Sequence, residues 1–113
     1  VNPNIYIAKT FYNSFYDMNF KINEYLTQNI SKSDNIILIG HSLGGVYANI
    51  LAYNLLIKNY KNVHLFTVNS PRVGDYNFSK FLNYSLLTLL FVHMASLIHK
   101  LIYLLLQVVL NID

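Results

Sequence analysis

Ser42 stands in Gly40-His41-Ser42-Leu43-Gly44-Gly45, a G-x-S-x-G pattern extended by one glycine. A serine hydroxyl is a weak nucleophile unless its surroundings expose it, remove its proton and stabilise the charge that develops after attack. The residues on either side meet the first need. Asn35-Ile36-Ile37-Leu38-Ile39 is a short, β-branched apolar run of the length of a buried strand. Beyond the glycines, Val46, Ile50, Leu51, Leu55 and Leu56 recur at helical spacing. A strand, a tight turn and a helix make a nucleophile elbow, which puts Ser42 at the tip of a strained turn. Gly40 and Gly44, lacking a Cβ, are expected to let strand and helix approach closely and to permit unusual backbone angles. The N–H of Leu43, at the positive end of the new helix, is placed to meet an oxyanion formed at Ser42.

The elements that must position this turn can be read on both sides of it. Upstream, Phe11, Phe15, Met18, Ile22, Tyr25 or Leu26, and Ile30 step by three and four, which predicts an amphipathic helix from Lys9 of about five turns. Ser31-Lys32-Ser33-Asp34 is a polar break before the elbow strand. Downstream, Val63-His64-Leu65-Phe66-Thr67-Val68 reads as a second buried strand. A strand, a helix of about fifteen residues and another strand predict a right-handed parallel βαβ unit. Asn69-Ser70-Pro71-Arg72-Val73-Gly74 leaves the second strand on the side where the elbow emerges. Asp75 is expected to cap a short helix carrying Phe78, Phe81 and Leu82 rather than to serve as the acid of a triad. His64, at the far end of its strand, is expected to be structural or solvent-facing, and His41, inside the elbow, to be structural.

The 113 residues allow one small domain. Eight Lys and Arg against five Asp and Glu leave a charge of +3, with the basic residues scattered singly. That pattern gives no support to nucleic-acid binding. Without cysteine there is no disulfide and no thiolate metal site, and no metal or cofactor is expected. The compartment is left open. Three N-x-S triplets, at Asn29, Asn77 and Asn83, carry little weight in so Asn-rich a chain. The start at Val1, with no signal-peptide layout, suggests a fragment.

Residues 81–98 hold no charge, and residues 101–112 are again almost wholly apolar. Two readings remain for this stretch: a core segment, or a membrane-associated helix. The expected division is therefore 1–84 as an α/β unit and 85–113 as an apolar, helical tail outside the sheet.

Three blocks resemble the class 3, or fungal-type, lipases of the α/β-hydrolase superfamily. Lys9-Thr10-Phe11-Tyr12-Asn13 resembles the opening of a helix that the family writes H-x-G-F, with Ala8 and Thr10 in place of His and Gly. Ile37 through Gly45 matches the nucleophile block. Asn69 to Gly74 resembles G-S-P-R-V-G, with Asn69 for the first glycine, and Phe78 follows at the family's offset. The resemblance covers residues 7 to about 82 and implies a partial α/β-hydrolase fold. It also implies hydrolysis of acylglycerols or related lipid esters through an acyl-serine, with Ser42 as nucleophile and Leu43 as one oxyanion donor. A second donor is implied upstream of Val1. The catalytic Asp is implied after the next strand, in a motif like V-x-x-x-D-x-V-P. The nearest stretch is Val92-His93-Met94-Ala95-Ser96-Leu97-Ile98, with Ser96 where the Asp would stand. The implied catalytic His has no counterpart, since His93 and His99 lack a carboxylate neighbour. The alternative is a catalytically incomplete, membrane-associated protein of the same lineage.

Overall fold

The computed structural model describes residues 4–92. Its order is α1 (Lys9–Asn29), β1 (Asn35–His41), α2 (Leu43–Ile57), β2 (Asn62–Val68), α3 (Tyr76–Ser85) and β3 (Thr88–Val92). The three strands form one parallel sheet in the order β1-β2-β3. The two strands flanking the elbow helix are therefore adjacent and parallel, as their pattern requires. Each crossover steps to the next strand in the same direction, and right-handed connections place α2 and α3 on the same face of the sheet.

That face holds the core. Ile36 from β1 and Val63 and Leu65 from β2 pack beneath Val46, Ile50 and Leu55 of α2, with Phe15 of α1 and Phe78 and Leu82 of α3 closing the sides. α2 is apolar almost all round, which suits a helix wedged between a sheet and two other helices. Its two buried asparagines are satisfied. Asn54 donates to Asn19 Oδ1 at 3.2 Å, tying α2 to α1, and Asn49 donates to the Gly45 carbonyl at 2.7 Å. α2 ends in a Schellman motif: Tyr60 N–H reaches the Leu55 carbonyl and Asn59 N–H the Leu56 carbonyl. Asn59 adopts φ 68°, a left-handed position asparagine tolerates. α1 buries only Phe15 fully; of the two alternatives Tyr25 and Leu26 it is Leu26 that packs on the core, and Met18, expected on the inner face, is exposed because α1 lies against α2 and not across the sheet.

Asp75 caps α3 as expected, its Oδ1 accepting the Phe78 N–H at 2.9 Å. Asp75→Ala should lower stability by about 1 kcal/mol in a urea melt, the ordinary value of one N-cap; an unchanged midpoint would mean that α3 is held by packing alone.

The stretch after residue 84 differs from the sequence expectation. Thr88–Val92 is a strand of the sheet, not the start of a helix outside it. Leu87 N–H donates to the Val63 carbonyl at 3.0 Å, and His64 Nδ1 lies 3.0 Å from Thr88 Oγ1, so β2 takes up the chain at its free edge. Residues 93–113, with the helix expected there, lie outside the described residues. No helix among the described residues is long and apolar enough to cross a membrane.

Candidate active site

Ser42 sits between the last residue of β1 and the first of α2, with φ 53° and ψ −120°. A non-glycine residue in that region stores about 1–3 kcal/mol of strain and persists only where its surroundings hold it. Here they hold it from both sides. The Ser42 N–H donates to the Val68 carbonyl of β2 at 3.0 Å, and the Ser42 carbonyl accepts from Gly45 N–H at 2.9 Å and Val46 N–H at 3.2 Å. The unusual backbone angle is thus carried by the serine itself, since no glycine in the described chain has a positive φ. Ser42 is half-buried and Leu43 exposed. The first N–H groups of a helix have no partner within it, and Leu43 carries the first of them in α2.

The positions that must lack a side chain are Gly40, where strand meets helix, and Gly45, where the helix meets the loop after β2, and not Gly44. A Cβ at Gly40 would lie 2.2 Å from the Gly44 carbonyl oxygen, and one at Gly45 would lie 2.8 Å from Ser70 Cβ. At Gly44 a Cβ would meet nothing within 4 Å. Gly44 contributes its backbone to the contact while its own side faces open space.

The loop after β2 joins the three sequence blocks. Ser70 packs on Gly45 and lies 3.5 Å from Asn49 Nδ2 of the elbow helix. The Val73 carbonyl accepts the Ala8 N–H at 2.9 Å, Gly74 bridges Ile7, and Asp75 N–H donates to the Tyr6 carbonyl. The block at the start of α1 and the elbow are thus both fastened to residues 69–75. Asn49, apolar in neither pattern nor chemistry, has only its place on α2 to suggest that it holds this junction.

Asn69, where the family pattern has glycine, adopts φ 54°. The position calls for a left-handed backbone, and asparagine is the side chain that tolerates it best. Asn69→Gly should leave stability within about 0.5 kcal/mol, whereas Asn69→Val should cost about 1–2 kcal/mol. A melt in which valine matches asparagine would contradict this.

His41, His64 and Asp75 do not complete a triad with Ser42. His64 pairs with Thr88 at the amino-terminal end of the sheet, four residues before Val68 and so about 13 Å along the strand from the elbow end. His41 is exposed on the sheet face away from the helices, by alternation with buried Gly40. Asp75 is committed to its cap. β3, parallel to β2, ends at Val92 on the same side of the sheet as the elbow. Ser96, His93 and His99 lie outside the described residues. Among the described residues there is no group of His, Cys, Asp and Glu that could hold a metal ion.

The sequence profile of the family described as lipase (class 3) matches residues 1–106. Among solved structures, a mutant form of MDLA from Penicillium cyclopium is 26% identical, with a TM-score of 0.63 over 80% of this chain and 34% of that one. The lipase of Rhizopus microsporus var. chinensis is 27% identical, with a TM-score of 0.56 over 73% of this chain and 31% of that one. Lipase II from Rhizopus niveus is 26% identical, with a TM-score of 0.56 over 77% and 36%. The chain spans about a third of the length of these structures. No curated protein matches it.

Proposed function

The chain belongs to the class 3 lipase family, and from that membership we propose that it forms the nucleophile-bearing part of a serine hydrolase acting on acylglycerols or related lipid esters. The observation that carries this reading is the strained backbone of Ser42, clamped between the Val68 carbonyl and the Gly45 and Val46 amides. Such strain has a cost, and no other residue of the turn uses it. Its effect is to stand the hydroxyl clear of the chain at the mouth of a helix.

In the proposed reaction Ser42 Oγ attacks the ester carbonyl carbon while its proton passes to a base. The carbonyl oxygen becomes an oxyanion facing the Leu43 N–H. Collapse breaks the bond to the alcohol, which leaves with the proton from the base, and an acyl group remains on Ser42. Water then attacks the acyl-serine by the same path in reverse and releases the fatty acid. The family resemblance assigns the base to a histidine oriented by an aspartate. His41 and His64 do not supply the base and Asp75 does not supply the acid, so the reading requires a histidine from outside residues 4–92.

The test is the whole reading frame that contains these residues, treated with a fluorophosphonate probe. Labelling is expected, and Ser42→Ala should abolish it. Labelling that survives the substitution would remove Ser42 from the mechanism. A wild-type protein that folds but takes no label would favour the catalytically incomplete alternative.

A further inference from the structure

Asn49 is a polar side chain in an apolar place. It is only 3% exposed, and apart from Asn54 the other buried residues of α2 are glycine or aliphatic. An amide in that setting loses its hydration and must find partners within the fold. It finds two. Asn49 Nδ2 donates to the Gly45 carbonyl at 2.7 Å and lies 3.5 Å from the Ser70 hydroxyl. The Gly45 carbonyl can only accept, which fixes the end of the amide that faces it, and an amide NH2 has two hydrogens for two acceptors. The Ser70 hydroxyl gives its own proton to the Pro71 carbonyl at 3.0 Å, so its lone pairs are left for Asn49.

These contacts join the two segments that hold Ser42. On one side the Gly45 N–H holds the Ser42 carbonyl; on the other the Val68 carbonyl holds the Ser42 N–H. Ser70 follows Val68 by two residues, with Asn69 at φ 54° between them. A closed ring results: Ser42 to Gly45, Gly45 to Asn49, Asn49 to Ser70, and back along the chain through Asn69 and Val68 to Ser42. Two of the three left-handed non-glycine residues among the described residues lie in this ring, and such residues persist only where their surroundings hold them. Only Asn49 and Ser70 enter it through their side chains. Asn49 stands two helical turns beyond Ser42, about 10 Å along the axis, so its effect on the nucleophile runs through the backbone.

We propose that Asn49 is a positioning residue for Ser42: its amide locks the first turn of α2 to the loop after β2 and so fixes the angle at which the serine is held. Without that amide the two segments that grip Ser42 are tied to each other only by the packing of Gly45 on Ser70 Cβ. A small slip between them turns the hydroxyl, and misplacing a reacting atom by about 1 Å can lower a rate about a hundredfold. The effect on turnover rests on the hydrolase reading above, whereas the effect on the rigidity of the turn does not.

Asn49→Leu separates this role from ordinary packing. Leucine has the same branched shape, and the cavity of about 240 Å³ that Asn49 lines with Phe78 and Phe91 has room for its extra bulk. The Gly45 carbonyl keeps the helical bond from the backbone N–H of position 49, and replacing a buried amide by an apolar group of its shape is close to neutral for stability. In the whole reading frame the urea midpoint is therefore expected to stay unchanged. Amide hydrogen exchange at Gly45 and Val46 should be at least about tenfold faster. The kcat for a short-chain p-nitrophenyl ester should fall about tenfold to a hundredfold, with KM within about twofold of wild type. Should the leucine variant fail to fold, Asn49→Ala decides, compared with wild type at temperatures equally far below the two melting midpoints; the same exchange and kcat are expected. Exchange at the wild-type rate would overturn the proposal, and so would an unchanged kcat in a frame that turns over ester. A midpoint that falls in Asn49→Leu together with both would overturn it too, by making Asn49 a part of the packing. A wild-type frame that turns over no ester would sink the hydrolase reading alone, because exchange at Gly45 and Val46 still decides this one.

Discussion

Gly40→Ala should destabilise the chain by about 3 kcal/mol or more, enough to unfold a small domain, while Gly44→Ala four residues later should stabilise it. The added methyl at Gly40 would lie 2.2 Å from the Gly44 oxygen, 2.5 Å from its carbonyl carbon and 2.6 Å from the Gly45 nitrogen. All three are backbone atoms and no rotamer change can move them. The turn they belong to is fixed at several points: Gly45 N–H holds the Ser42 carbonyl, the Gly45 carbonyl holds Asn49, and Gly45 itself is stacked against Ser70. Relief would require α2 to lift off β1, with loss of the Val46 and Ile50 packing. At Gly44 nothing lies within 4 Å of an added Cβ, so the helix-propensity gain of about 1 kcal/mol over glycine is free to appear. Urea melts of the two variants decide the matter, and similar midpoints would show that strand and helix approach each other less closely than these distances require.

Ser42 should separate activity from stability. In the whole reading frame Ser42→Ala is expected to lower ester turnover by about four to six powers of ten, the range seen when the nucleophile of a catalytic triad is removed. Ser42→Gly should lose activity equally and yet melt higher. Glycine adopts φ 53° without steric cost, which relieves part of the roughly 1–3 kcal/mol of strain. Greater freedom of the unfolded chain takes back up to about 1 kcal/mol, leaving a net gain of about 1 kcal/mol. Turnover of a short-chain p-nitrophenyl ester and a thermal melt measure the two effects. Residual turnover within tenfold of wild type would exclude Ser42 as nucleophile. A Ser42→Gly protein less stable than its parent would mean that the side chain, and not the backbone, holds the turn.

The elbow and the βαβ unit around it are legible in the residues alone. Both rest on short-range patterns: a β-branched run before Gly40, helical spacing from Val46 to Leu56, and a second apolar run from Val63. The same holds for the cap at Asp75 and for the end of α1 near Asn29, where the chemistry lies within a few residues. The features that emerge only on folding involve residues far apart in the chain. That Gly45 and not Gly44 must lack a side chain depends on Ser70, twenty-five residues away. That Asn69 can replace a glycine depends on a left-handed angle which no spacing reveals. Residues 88–92 lie in a leucine-rich run whose even hydrophobicity has no period, so strand and helix could not be told apart until the free edge of β2 took up the backbone. The division of β1 into core and exposed positions is hidden for the same reason. Ile36, Ile37, Leu38 and Ile39 look alike in sequence, and only the placement of the helices on one side makes Ile36 core and leaves Ile37 and Ile39 exposed.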